Sequence, residues 1–330
     1  MNTFPIRKRP GTSILAGAML AIAGCGGGGA GDGAGTGTLS LQITDGPVES
    51  AKHVYVQFSG LELHAADGQH TTLYYCQDPA DATNPPIVSE TACTTTPAPK
   101  KIDLLAQTGG VAEDLLVDFT LPSGRYNWIR LMVDAVAGTQ DSYIVLLDDS
   151  EHELEIPSGA ETGLKLNRGF VVPAGGSADF TIDFDLRKSV HFTGTDPGTG
   201  EYMLRPTLRL ADNSMTGAIA GTVHQSLVLA GCTPAVYVYE GSGVAPDDID
   251  TDPNTLDPVT TATVKLDNGT YRYKAAYLEA GTYTVAFTCN AGADDPTTNN
   301  VLTFADTTAD ADNEFDTVTV TAKTETIHNF

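Results

Sequence analysis

From Thr38 onward the chain alternates apolar and polar residues with a period of two, and no long stretch carries a helical period with caps. Leu39, Leu41 and Ile43 alternate with Ser40, Gln42 and Thr44, and Val54, Val56 and Phe58 alternate with Tyr55 and Gln57. Successive side chains of a strand point to opposite faces, so each such segment reads as a strand with one face buried. The pattern returns at 115–121, 126–133, 143–147, 180–186 and 204–210. Asp67-Gly68, Pro122-Ser123-Gly124, Pro157-Ser158-Gly159 and Ala174-Gly175-Gly176 stand between these segments and supply the backbone conformations of tight turns. The best helical candidate is a short turn near Gly110–Leu116.

A second block begins near Thr216, after the patternless Ala211-Asp212-Asn213-Ser214. Segments 219–223, 235–239, 264–266, 271–275, 282–287, 301–304 and 317–321 read as short strands, a number that suits a sandwich. Asp267-Asn268-Gly269 joins two of them with a strong hairpin signal, because a type I′ turn needs positive φ at two successive residues. The expected fold class is all-β, with two antiparallel β-sandwich domains in tandem. The expected domains are 38–211 and 212–330, preceded by a signal peptide over 1–24 and a tether over 25–37.

That leader is read from Arg7, Lys8 and Arg9, a short apolar stretch, and Ile22-Ala23-Gly24-Cys25. Apolar-small-small-Cys after a basic n-region resembles the signal of bacterial lipoproteins. The resemblance implies cleavage before Cys25, a lipid on its thiol and contact with the membrane through that lipid. Thr12–Gly24 is too short for a membrane span, which needs about 20 apolar residues. Gly26, in place of Asp, resembles lipoproteins passed to an outer membrane. Residues 26–38 are nearly all Gly, Ala and Thr and read as a flexible tether with a reach of roughly 20 Å.

Cleavage would leave 15 Lys and Arg against 42 Asp and Glu, a formal charge of −27. Such a chain repels nucleic acid, which demands a basic patch. Of five cysteines, Cys25 is assigned to the lipid, and four remain for an oxidising compartment. Three pairings are open. Cys76 with Cys93 and Cys232 with Cys289 is favoured, because each bridge then lies within one expected domain.

Leu121-Pro122-Ser123-Gly124-Arg125-Tyr126 in the first block is echoed by Leu278-Glu279-Ala280-Gly281-Thr282-Tyr283 in the second. Each places a turn glycine before a strand whose first aromatic covers the core's end. The spacing resembles the hairpin of prealbumin-like and carboxypeptidase-regulatory-like sandwich domains. A fuller resemblance spans 38–211. Thr44-Asp45-Gly46-Pro47, Ile102-Asp103-Leu104-Leu105, Gly124-Arg125-Tyr126, Leu164-Lys165-Leu166, Phe184-Asp185-Leu186-Arg187-Lys188-Ser189 and Leu204-Arg205-Pro206 look like a bacterial lipoprotein family defined by domain of unknown function 4382. It implies no activity, cofactor or catalytic residue.

No Gly-x-Ser-x-Gly elbow and no His-Glu-x-x-His pair occurs. His64 and His70 face each other across the Asp67-Gly68 turn, and two ligands make a poor metal site. Asp248, Asp250 and Asp252, with Asp310 and Asp312 in a later cluster, are weak Ca²⁺ candidates. Pro253 and Val259 stand where a hand-like calcium loop needs Gly and Glu, which favours solvated acidic loops and no cofactor. Alternating Asp183 and Asp185 followed by Arg187 suggest a structural ion pair between strands. The expected role is a non-catalytic, lipid-anchored binding or assembly module of the cell envelope, with an envelope protein or a glycan as partner. The alternative is a lipid-anchored glycan-active enzyme or accessory carbohydrate-binding protein.

Overall fold

The computed structural model describes residues 35–46, 51–77, 85–89, 92–93, 97–136, 138–156, 163–194, 200–250, 256–305 and 315–330. The leader, Cys25 and tether residues 26–34 lie outside them, as do Asp252, Asp310 and Asp312; Thr36 and Gly37, expected in the tether, already belong to the first strand, where they pair with Pro122 and Leu121. Among the described residues the fold is nearly all β, in four sheets that pack as two sandwiches.

In the first sandwich, Leu39, Leu41 and Ile43 of strand Thr36–Gly46 are fully buried. This strand lies between Ser177–Asp185 and Glu113–Pro122, and Leu208–Asp212 completes a four-stranded sheet. The facing eleven-stranded sheet is organised by Ala51–Ala65, which pairs with Gly124–Asp134, Tyr143–Leu146, His70–Tyr75 and Lys100–Asp103. This long strand serves four partners because two share each edge end to end, and register shifts at Lys52, at Ser59 and opposite Asn127 adjust the pairing. Gly60 sits beside the shift at Ser59, where a Cβ would meet the Leu73 carbonyl oxygen at 2.0 Å.

The second sandwich sets Lys265–Asp267, Thr270–Glu279, Thr216–Val223 and Glu325–Ile327 against Thr260–Thr263, Ala235–Glu240, Gly281–Thr288 and Asp316–Val320. Ile219, Val223 and Leu278 meet Val236, Val238, Val285 and Phe287 in its core. Ala235, Tyr237 and Tyr239 turn to the other face of their sheet, where Ile249 and Phe304 cover them. Cys76 is bonded to Cys93 and Cys232 to Cys289. Antiparallel pairs dominate, but Thr36–Gly46 runs parallel to Ser177–Asp185 and Thr216–Val223 parallel to Glu325–Ile327.

The tyrosines of the echoed motif do the same work twice. The Tyr126 hydroxyl donates to the Pro122 carbonyl at 2.9 Å, and the Tyr283 hydroxyl to the Glu279 carbonyl at 2.7 Å. Each reaches back four residues across its turn and ties the strand entrance to the core.

Four further expectations are corrected. Gly110–Leu116 forms no helical turn; from Glu113 it belongs to a strand whose alternation is hidden by the adjacent buried pair Leu115 and Leu116. Segment 204–210 is two strands in different sheets, Glu201–Leu204 and Leu208–Asp212, because Pro206 cannot donate to a ladder. Segment 301–304 contributes a single bridge, Phe304 to Thr288. Thr260–Thr263 and Glu325–Ile327 are additional strands whose residues carry little apolar alternation.

Candidate functional site

The residues of the Phe184–Ser189 motif meet the second sandwich. Asp185 ends its strand and accepts from the Lys188 amide at 3.2 Å, capping the single helical turn Leu186–Ser189. That turn aims Arg187 and Lys188 across the seam. The Arg187 guanidinium donates to the Tyr237 hydroxyl and, at 3.1 Å, to Asp294 Oδ2, and Tyr237 itself donates to Asp294 at 2.5 Å. Neither charged side chain is more than 4% exposed. Burial holds the Asp294 carboxyl above its ordinary pKa, while the Tyr237 hydroxyl and Arg187 pull it back. Lys188 meets Asp257 at 2.5 Å nearer the surface.

On the neighbouring strand the ion pair expected of Asp183 forms with its cross-strand partner, as Arg209 donates to Asp183 Oδ2 at 2.6 Å. Asp185 and Arg187 do not join it. Arg209 also donates to the Tyr277 carbonyl at 2.9 Å. Tyr277 occupies a bulge, since Ala276 and Tyr277 together oppose Ala218, and its φ is +56°. Bulges re-aim side chains. This one turns the Tyr277 hydroxyl to the Gly110 carbonyl, 3.3 Å away on the first sandwich. Gly110 permits that approach, because a Cβ there would meet Lys274 Cε at 2.9 Å and φ is +86°.

Beside the bulge lies a cleft of about 450 Å³. The first sandwich supplies Thr44, Asp45, Asp183 and the turn Thr108–Gly110, and the second supplies Thr260–Thr263, Ala220, Ala276 and the charged rim. This volume falls in the range of about 300–1,000 Å³ typical of ligand clefts. The rim charges are mostly satisfied among themselves: Lys274 meets Glu325 at 2.9 Å, Arg272 meets Asp267 at 3.7 Å, and Lys265 donates to Thr108 Oγ1 at 3.1 Å. Asp45 differs. It is 6% exposed, its Oδ1 accepts from the Leu186 amide at 3.2 Å, and its Oδ2 has no hydrogen-bond partner among the described residues. Burial, followed by the nearby Asp183 charge, pushes the Asp45 carboxyl well above the carboxylate range.

The other sequence candidates are scattered. His64 and His70 are cross-strand partners, and His64 stacks on Trp128 with ring centres 4.6 Å apart. The Arg205 amide bonds the Ser189 carbonyl at 2.8 Å, and its exposed side chain stays out of the seam. Asp248 is no solvated loop residue: it is 1% exposed, it receives the Asn300 amide, and burial raises its pKa to about 6. The Asp250 amide donates to Asp257 at 3.3 Å. Among the described residues no three His, Cys, Asp or Glu side chains gather as a metal site. Among them, too, no helix is long and apolar enough to cross a membrane. Sequence reasoning missed the cleft because its defining parts, Thr260–Thr263 and the Tyr277 bulge, carry no motif.

The chain resembles several solved structures at low superposition. The Bacillus anthracis TIE protein is 11% identical with a TM-score of 0.18, over 90% of this chain and 34% of that one. A leucine-rich repeat protein from Bacteroides thetaiotaomicron is 12% identical with a TM-score of 0.18, over 89% of this chain and 26% of that one. This chain therefore spans about a third and about a quarter of their lengths. The minor pilin GBS52 of Streptococcus agalactiae is 10% identical with a TM-score of 0.19, over 89% and 94%. At such TM-scores these likenesses carry no inference for this chain. No curated protein matches it. Residues 36–206 match the family described as Domain of unknown function (DUF4382), stopping short of the strand Leu208–Asp212 that closes its four-stranded sheet. With more than half of its length in that match, the chain belongs to the DUF4382 family.

Proposed function

We propose that this chain is a lipid-anchored cell-envelope protein with a non-catalytic role, in which the two sandwiches form one binding module and the seam cleft takes the partner. The carrying observation is that both sandwiches line one cleft while Arg187, Arg209 and Tyr277 hold them together beside it. A cleft built on strands and fixed by buried hydrogen bonds is preorganised, which lowers the entropic cost of binding. The lipid on Cys25 would hold this module at a membrane, with the glycine-rich segment giving it reach. An outer-membrane address follows only from the residue after Cys25.

The test is capture of partners from envelope extracts by wild-type protein and by Ala276→Phe, whose added ring fills the cleft. The cleft reading expects one or more partners to be lost from the variant. Equal recovery by both proteins, with equal thermal stability, would refute it. For the anchor, mass spectrometry of the membrane-bound protein should find acyl chains on Cys25, and an unmodified thiol there would refute the lipid.

A further inference from the structure

The cleft contains the unpaired edge of a strand. Among the described residues, Thr260–Thr263 ends its sheet and pairs only with Ala235–Glu240. The Val264 amide donates to the Pro234 carbonyl at 3.0 Å, which fixes the alternation of the ladder. Thr260 and Ala262 therefore turn their main-chain groups to the partner strand, whereas Thr261 and Thr263 turn theirs to the open edge. On that edge, among the described residues, the Thr261 carbonyl takes only a 3.4 Å contact from Thr260 Oγ1. An open edge is a template for another strand. Natural proteins shield such edges with charge, bulges or proline; here Pro258 and a bulge at Val259 stand before the strand, but Thr-Thr-Ala-Thr itself carries neither charge nor proline and opens into a cleft. The lining leaves room, because its Gly109, Gly110, Ala220 and Ala276 carry at most a methyl group.

The charge around the edge selects the occupant further. The rim's acids and bases largely neutralise one another, and Asp45 with Asp183 lies at the first-sandwich end. Asp183 is answered by Arg209, while Asp45 keeps a buried oxygen without a donor among the described residues. Burial keeps this carboxyl above the carboxylate range, and a cation brought against it favours the ionised acceptor, so the oxygen selects a basic side chain over a neutral one. The chain's formal charge of −24 adds a general attraction for cations.

We propose that the cleft takes an extended peptide segment of a partner polypeptide, added as a strand against Thr260–Thr263, with a lysine or arginine of that segment directed to Asp45. Main-chain pairing supplies the affinity and the basic side chain the selectivity, as in other strand-addition sites. The proposal rests on the cleft being the binding site.

The probe is a fluorescein-labelled hexapeptide of alternating valine and threonine with one central lysine, titrated against the full chain by fluorescence anisotropy. Saturable binding is expected, weakened about tenfold or more by N-methylation of alternate peptide amides and by Thr263→Pro, which removes an edge donor but no ladder bond. Asp45→Asn, isosteric and able to keep the Leu186 amide bond, should erase the preference for lysine over norleucine at that position. Melting curves confirm that both variants fold. No binding up to about 1 mM, or equal binding by a folded Thr263→Pro, overturns strand addition. If the peptide fails while Ala276→Phe still loses its envelope partner, the strand proposal falls and the cleft reading stands. If Ala276→Phe loses nothing either, both fall.

Discussion

Arg187 and Asp294 meet at 3.1 Å across the seam between the two sandwiches, with both side chains withdrawn from water. The first belongs to the family-matched region, and the second lies in a loop of the other sandwich. A buried ion pair is weak evidence for net stability, because desolvation opposes its Coulomb energy. Breaking it is another matter. Arg187→Met leaves Asp294 and the Tyr237 hydroxyl buried against an apolar chain, and should cost about 3–5 kcal/mol in denaturant unfolding. Arg187→Met with Asp294→Leu should recover most of that loss. Additive losses in the double variant would show that the pair is not coupled.

The pH dependence of Asp248 has a definite sign. Its pKa rises from 3.8 to about 6 on folding, so the folded chain holds the proton more tightly than the unfolded chain. Its favourable contribution is complete below 3.8 and is lost as pH rises through about 6. Asp248→Asn cannot ionise and keeps an acceptor for the Asn300 amide. The stability of the variant relative to wild type should therefore improve between pH 4 and pH 6 and level off above. A difference that is flat across this window would refute the assignment.

The two disulfides should differ in weight. Cys76–Cys93 spans 17 residues and Cys232–Cys289 spans 57, which the loop-entropy relation converts to roughly 3 and roughly 4 kcal/mol. Paired Cys→Ser variants compared by guanidinium denaturation should rank in that order, with Cys232→Ser/Cys289→Ser the less stable. The reverse order would mean that loop closure is not the controlling factor.

The echoed tyrosines invite a matched comparison. Tyr126→Phe and Tyr283→Phe each remove one hydroxyl and leave the ring packed, so each should cost about 1 kcal/mol, the usual net worth of such a bond. A loss near zero for either, by thermal or chemical unfolding, would show that its reach-back bond is dispensable.

Much of the architecture was legible because period-two burial is a local signal. Leu39, Leu41 and Ile43, or Val54, Val56 and Phe58, identify strands without knowledge of their partners. The failures have equally local causes. Thr260–Thr263 escaped notice because an edge strand of threonines has no apolar face to announce it, and Leu115-Leu116 concealed where the strand read at 115–121 begins, because two neighbouring leucines are buried together at a bulge. Arg187 was visible as part of a motif, but its partner Asp294 lies 107 residues away and no spacing could name it. Asp45 was visible too. Its unpartnered oxygen was not, since that depends on what the second sandwich leaves uncovered.

The parallel pairing of Thr36–Gly46 with Ser177–Asp185 sets an order of events. Thr38 faces Ser177, so the first strand of the sandwich cannot find this neighbour until nearly 140 further residues have left the ribosome. Its antiparallel neighbour, Glu113–Pro122, also arrives late. Contacts that distant in sequence close slowly. Until then the main-chain edge of Thr36–Gly46 waits for its partner, although Leu39, Leu41 and Ile43 share their core with Val54, Val56 and Phe58 of the very next strand. The opening strand of this sandwich therefore gains its lateral neighbours well after the strand that covers it.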